Sequence, residues 1–284
     1  MSDSKSQLLK LLEKWQLNNE VDKLLLLKRE SLKLNLSPTG ELETTNSRLG
    51  GKPSVPKDFE WPEDSKGPLS FIAQVKILKD RAYPGLKPSS DYLLSFFYNN
   101  YNWGFSQSDK DTFRVYKFSL DQKLELRNPP KLEKKKALFG LISKEPVVKA
   151  YKACTVESEV VPSLPMEIDI ESFTDADWDN YFELTEDIDS GHKMFGYPEQ
   201  IQGEIELECE YVARGYEPMQ KVDAKELKEI EVAKNRWQLL LQIDSDTENS
   251  NMMWGDGGKL YFMIDQIDLE KEIFSDCWLI SQCH

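Results

Sequence analysis

Apolar residues recur first at helical spacing and afterwards at alternating spacing. Leu8, Leu9, Leu11, Leu12 and Trp15 form one broad stripe after Ser4, which predicts an amphipathic helix. Asn18 and Asn19 interrupt it, and Val21, Leu24, Leu25 and Leu27 begin a second short helix. A helical pair is therefore expected over residues 1–30. The simplest use of such a pair is to cover the chain's own core, although an amphipathic pair can also dock on a partner. Leu32, Leu34 and Leu36 then alternate with Lys33 and Asn35, the period-two signature of a half-buried strand, and Pro38–Gly40 reads as a turn.

The pattern changes at Ser47–Lys76. Gly50 and Gly51 are followed by Pro53, Pro56, Pro62 and Pro68, each of which removes a backbone donor. This predicts an ordered extended loop that delivers the chain into a strand at Leu69–Ile77. Tyr92–Tyr98 (YLLSFFY) and Phe113–Phe118 (FRVYKF) read as further strands, with turns at Pro84–Pro88 and Asn99–Gly104. Strands joined by turns rather than by helices favour an antiparallel sheet. Asn128–Pro130 is a break, and the KLEKKK run at Lys131–Lys136 reads as a solvated face. Gly191–Gly203 (GHKMFGYPEQIQG) reads as a second ordered loop. Ile205, Leu207 and Cys209 alternate with Glu206 and Glu208, which predicts a strand with one acidic side. Asp223 is placed to cap a helix running to about Lys234.

WQLLLQIDSD at Trp237–Asp246 repeats the pattern of SFIAQVKI. Gln74 and Gln242 coincide, and Leu94–Asn99 matches Leu260–Asp265 at nearly the same distance downstream. The expected fold class is therefore α+β and mostly antiparallel, with an internal β-unit duplication and an N-terminal helical pair. In this reading residues 1–30 pack on a single domain, 31–284, whose two pseudo-repeated units lie around 69–99 and 237–265. A glutamine inside an apolar strand needs several partners. The pair is expected to brace backbone loops, with a shared cleft as the alternative.

Charge narrows the choice of partners. Fifty acidic residues against thirty-six basic ones leave a net charge of −14, which disfavours nucleic acid and anionic membrane surfaces and suits a basic protein partner as well as plain solubility. From Ala153 to His192 there is no lysine or arginine, and twelve carboxylates fall between Glu157 and Asp189. With Phe173, Trp178, Tyr181 and Phe182 among them, the segment reads as an acidic insertion anchored by aromatics, part of it a short helix, or as a docking surface. The N-terminus has no basic segment followed by an apolar one, no run of about 18 apolar residues occurs, and the four cysteines are scattered. A cytoplasmic location with reduced, buried thiols is expected.

Candidate chemistry is sparse. His192 is the only internal histidine and reads as structural. Asp244, Asp246 and Glu248 alternate as calcium-loop ligands would, but Asn249 stands at the sixth position and Gly255 at the twelfth, which excludes an EF-hand. An irregular oxygen site for a divalent metal remains, built from Asp244, Asp246 and Asp256. WGDGG at Trp254–Gly258 reads as a tight turn. No cofactor motif is identified, and no nucleophile elbow, P-loop, dinucleotide fingerprint or zinc spacing is present.

SRLGGKPSVP, the Trp61–Pro62 pair, GPLSFIAQV, YLLSFFY, GHKMFGYPEQIQ, LLLQIDSD, WGDGGKLYFMI and DLEKEIFSDCWLISQC follow one another along nearly the whole chain. In that order they resemble the YwqG-like bacterial domain of unknown function. The resemblance implies a cytosolic α+β protein with duplicated β units and no assigned activity, in a family associated with toxin–immunity neighbourhoods. It carries Arg48, Gly50, Gly51, Trp61, Pro62, Gln74, Gln242, Trp254, Asp256 and Gln282 over as motif positions without a chemical role. Among these, Arg48, Trp61, Gln74, Gln242, Trp254, Asp256 and Gln282 are the candidate ligand-binding residues. The functional expectation is a non-enzymatic protein-binding module, possessing a toxin-neutralising role if the resemblance extends so far. The alternatives are a small-ligand or metal binder using the cleft between the two β units, or an enzyme with a carboxylate-based site. Oligomeric state is not legible in the sequence.

Overall fold

The computed structural model describes residues 2–38, 42–130, 148–217 and 220–284. The KLEKKK run and the end of the Pro38–Gly40 turn lie outside these residues. Ten strands form one sheet: β1 (Arg29–Pro38), β2 (Arg48–Leu49), β3 (Ser70–Ile77), β4 (Tyr92–Tyr98), β5 (Phe113–Ser119), β6 (Cys154–Ser163), β7 (Lys193–Phe195), β8 (Trp237–Asp244), β9 (Lys259–Asp265) and β10 (Trp278–Gln282). Every pairing among them is antiparallel, and the order across the sheet is β10-β9-β8-β7-β1-β6-β2-β3-β4-β5. The strands after β6 thus mirror the strands before it, with the β1–β6 ladder at the centre.

The sheet curls into a near-barrel. Its two edge strands approach closely enough for Phe113 of β5 and Trp278 of β10 to stack edge to face at 5.3 Å between centroids. Phe96 of β4 and Phe262 of β9 meet inside at 5.0 Å. At this level the space between the two β units is packed core. Alternation explains why all seven residues of β4 are buried. Tyr92, Leu94, Phe96 and Tyr98 face the barrel core. Leu93 and Phe97 face outward under a lid of Phe59, Trp61, Tyr116 and Phe118.

Helices cover the rest of the outer face. α1 (Ser2–Lys14), α2 (Val21–Leu27) and α3 (Asp175–Asp189) share a separate apolar cluster of Leu8, Leu12, Leu24, Tyr181, Leu184 and Ile188, with α1 and α3 lying on β6. α3 starts at a capping box in which Thr174 and Asp177 exchange hydrogen bonds, and it runs 15 residues, while the acidic segment begins not as an insertion but as central strand β6. Its aromatics Phe173, Trp178 and Tyr181 pack on one another. α5 (Ala224–Ala233) is capped by Asp223, and α6 (Gln266–Glu270) by Asp265.

Two local expectations are overturned. Residues 205–209 form no strand but the start of α4 (Ile205–Ala213). The buried positions Ile205, Cys209 and Val212 recur at i, i+4 and i+7, and glutamate is a good helix former, so helical burial outweighs a five-residue alternation. The loop expected at 191–203 contains β7, which bridges β1 and β8 through pairs such as Leu32 with Met194 and Lys193 with Gln242.

Among the described residues no helix is long and apolar enough to cross a membrane. All four cysteines are free, with Cys154, Cys209 and Cys277 buried and Cys283 half-buried.

Candidate functional site

The two buried glutamines make matching bonds. Gln74 Oε1 accepts from Ser54 N at 2.9 Å, and its Nε2 donates to the carbonyl of Asn46 at 2.8 Å. Gln242 Oε1 accepts from Glu199 N at 2.8 Å, and its Nε2 donates to the carbonyl of Gly191 at 2.8 Å. Ser47 Oγ caps Lys76 N at 2.9 Å, where His192 Nδ1 caps Asp244 N at 3.2 Å. His192 therefore terminates a strand, and burial holds its pKa below the usual histidine value against the pull of Asp244 and Asp246. Gly50 and Gly51 have φ of 62° and 72°, and Phe195 and Gly196 have 61° and 73°, so both chains turn through the same left-handed step.

In the first half this framework is filled. Arg48 is buried in β2 and donates to the carbonyls of Glu43, Asn46 and Lys52 and to Ser54 Oγ. Burial pushes its pKa down to about 10, which leaves it charged at neutrality. Trp61 Nε1 donates to the Leu69 carbonyl at 2.8 Å, with its ring against Phe59 and Phe97.

In the second half the space beyond the loop is open. Tyr197–Glu204 is held from below by Gln242, by Tyr261 Oη on the Glu199 carbonyl at 2.6 Å, and by Lys259 on the Glu199 carboxylate at 2.6 Å. Gln282 of β10 completes the brace: its Oε1 accepts from Ile201 N and Gln202 N at 2.8 and 3.0 Å, and its Nε2 donates to the Gly203 carbonyl at 3.0 Å. Gln242 and Gln282 thus converge on one loop. Arg48, Gln74 and Trp61 lie in the other half of the sheet. Trp254 is buried against Tyr98 and Tyr151 with its Nε1 on the Asp244 carbonyl, and Asp256 is exposed in the turn before β9.

The expected oxygen-ligand set does not assemble. The carboxylate of Asp244 faces Lys259 at 3.4 Å, that of Asp246 is taken by Asn249 and lies 3.7 Å from His192, and Asp256 is exposed. Among the described residues no group of three or more histidine, cysteine, aspartate or glutamate side chains is arranged to hold a metal ion.

A cavity of about 700 Å³ opens beside the braced loop. Leu207, Glu208, Tyr211 and Val212 of α4 form one wall, Tyr216, Val222 and Leu227 the other, and Phe105 and Gln202 close the ends. α4 is fixed in this pose by Glu210, a buried carboxylate that accepts from Arg214 Nε at 2.7 Å, Arg236 Nε at 2.9 Å and Trp237 Nε1 at 3.1 Å. Arg214 also bonds Glu226, which ties α4 to α5. The carboxyl of Glu208 enters the apolar cavity with Gln282 Nε2 as its donor at 3.2 Å. Burial pushes its pKa up to about 7, more than that hydrogen bond lowers it.

Gln282 is thus the one motif residue that reaches the cavity's polar group. Glu208, Tyr211, Tyr216 and Phe105 are absent from the sequence-based candidates. On a helix, Glu208 shares a face with Leu207 and Tyr211, and that juxtaposition of one carboxyl with apolar neighbours was the available signal.

Fold and site together define an α+β near-barrel that carries an apolar pocket on a side-chain-braced loop. The chain belongs to the family described as Domain of unknown function (DUF1963), whose model matches residues 47–283, from β2 through β10. No curated protein matches it.

Proposed function

We propose that the chain is a binding protein rather than an enzyme, and that it holds a small molecule with an apolar body in the cavity between α4 and α5. The carrying observation is the cavity itself, about 700 Å³ of mostly apolar and aromatic wall with one inward carboxyl group. Its described lining offers no histidine, serine or cysteine for a nucleophile–base pair. Nile red tests this reading. Its emission should rise and shift to the blue with a saturable one-to-one isotherm, and Leu227→Trp, which fills the cavity from exposed α5, should weaken binding at least tenfold. A non-saturable response, or equal binding by the variant, would rule the site out.

The mirrored strand order and the matching glutamine bonds further support a duplicated five-strand unit within one domain, 31–284, on which residues 1–30 pack. The motifs that resemble those of YwqG-like proteins support a kinship with them inside the family. A cytoplasmic setting would keep its four thiols reduced.

A second reading, a basic protein partner and with it an immunity-like role, is favoured by α3. Asp175, Asp179, Glu183 and Glu186 are exposed on it, next to Phe182 at 48% exposure. Native mass spectrometry of the protein from its own host should then show a partner polypeptide. Its retention after Asp179→Lys/Glu183→Lys, or at high salt, would sink this reading.

A further inference from the structure

The cavity has a charge preference written into its walls. Glu208 is the only carboxyl group among its described lining residues, and Lys221, the lysine of that lining, is exposed and forms no ion pair with it. Gln282 Nε2 donates to Oε2, and among the described residues no donor reaches Oε1. The neighbouring Glu210 is already matched by two arginines, so the contrast lies within one helix. Three half-buried aromatic side chains stand around the same space, two of them, Tyr211 and Tyr216, in edge-to-face contact at 5.9 Å. A carboxylate beside aromatic faces is what a desolvated cation needs: Coulomb attraction from one side and ring quadrupoles from the others.

We infer that this cavity takes an organic cation, an ammonium group on an apolar body, with the charge against Glu208 and the body against Phe105, Tyr211 and Tyr216. The inference rests on the small-molecule reading above and narrows its ligand class. A neutral ligand leaves the Glu208 carboxylate desolvated without compensation, and an anion is repelled by it. The cation instead supplies the missing partner.

The sign of the pH dependence follows. With its pKa pushed up to about 7, Glu208 loses its carboxylate charge as the pH falls through neutrality. A cation binds best to the carboxylate, so affinity rises as pH climbs through 7 and a proton is released on binding below it. The groups that face Glu208 are Gln282 from β10, Tyr261 from β9 and Cys209 on its own helix, and the exposed Lys221 lines the same cavity.

Phenyltrimethylammonium and its neutral isostere tert-butylbenzene test the inference, because the cation's charge does not change with pH. Displacement of Nile red should show the cation binding at least tenfold more tightly at pH 8.5, with the preference shrinking severalfold at pH 5.5. Glu208→Gln should erase the preference for the cation over its isostere. Equal binding of the two compounds, a preference that survives Glu208→Gln, or one that grows at low pH overturns the inference. Saturable Nile red binding without any cation preference overturns it alone, whereas absence of saturable Nile red binding overturns the underlying reading.

Discussion

Gly104→Ala is expected to unfold the protein at denaturant concentrations where the wild type is fully native, at a cost of about 4 kcal/mol or more. Gly104 has φ +83°, and a Cβ there would be driven into the carbonyl of Leu279, 2.8 Å from its carbon and 3.3 Å from Ile280 Cα. The neighbour is strand backbone, so it cannot swing aside. The same residues lay the 99–109 loop along edge strand β10: Trp278 Nε1 donates to the Gly104 carbonyl at 2.7 Å and Ser281 N to the Trp103 carbonyl at 2.9 Å. Moving the loop to fit a methyl group breaks both bonds and bares an edge. Gly191→Ala provides the comparison, since Gly191 has φ +93° with nothing within 4 Å of its would-be Cβ and pays the conformational cost alone, about 1–2 kcal/mol. Urea unfolding followed by tryptophan fluorescence measures both. Equal costs would show that the close approach carries no weight.

Gln242→Leu is expected to cost about 3 kcal/mol, large for a polar residue replaced by an apolar one of similar size. Leucine satisfies the core but strands Glu199 N and the Gly191 carbonyl without partners in a dry environment. The loss should concentrate on one loop. Amide exchange at 198–203 should accelerate by one to two orders of magnitude more than exchange in β4, and Nile red affinity should fall although Gln242 does not touch the cavity. Uniform acceleration across the sheet would mean that the glutamine serves global packing and not the loop.

Much of the sheet was legible because its strands carry strong local signals. Tyr92–Tyr98 matches β4 residue for residue, and the Asp223 cap sits where the spacing of α5 requires it. The two glutamines stood out because a fully buried amide within an apolar run has few uses. α4 was not legible from residues 205–209, since five alternating residues satisfy the strand period before Val212 reveals the helical one. β7 is three residues long, too short for any period to show. The cavity was hidden for another reason. It is assembled from Phe105, Gln202, α4 and residues 216–227, and the property that marks Glu208 comes from burial, which no local pattern encodes.

The place of β1 in the sheet has a consequence for how the chain is made. Its two neighbours are β6 and β7, so Arg29–Pro38 is synthesised more than a hundred residues before anything it pairs with. The β3–β4–β5 meander can close as soon as it emerges, but β1 and the free side of β2 must wait for Cys154–Ser163. Nascent chains ending before β6 thus carry unpaired strand edges with the leucines of β1 exposed, a natural target for holding chaperones. Once β6 threads between β1 and β2 it locks the two sides of the barrel in a single event, and the native protein should accordingly lose both sides together when it unfolds.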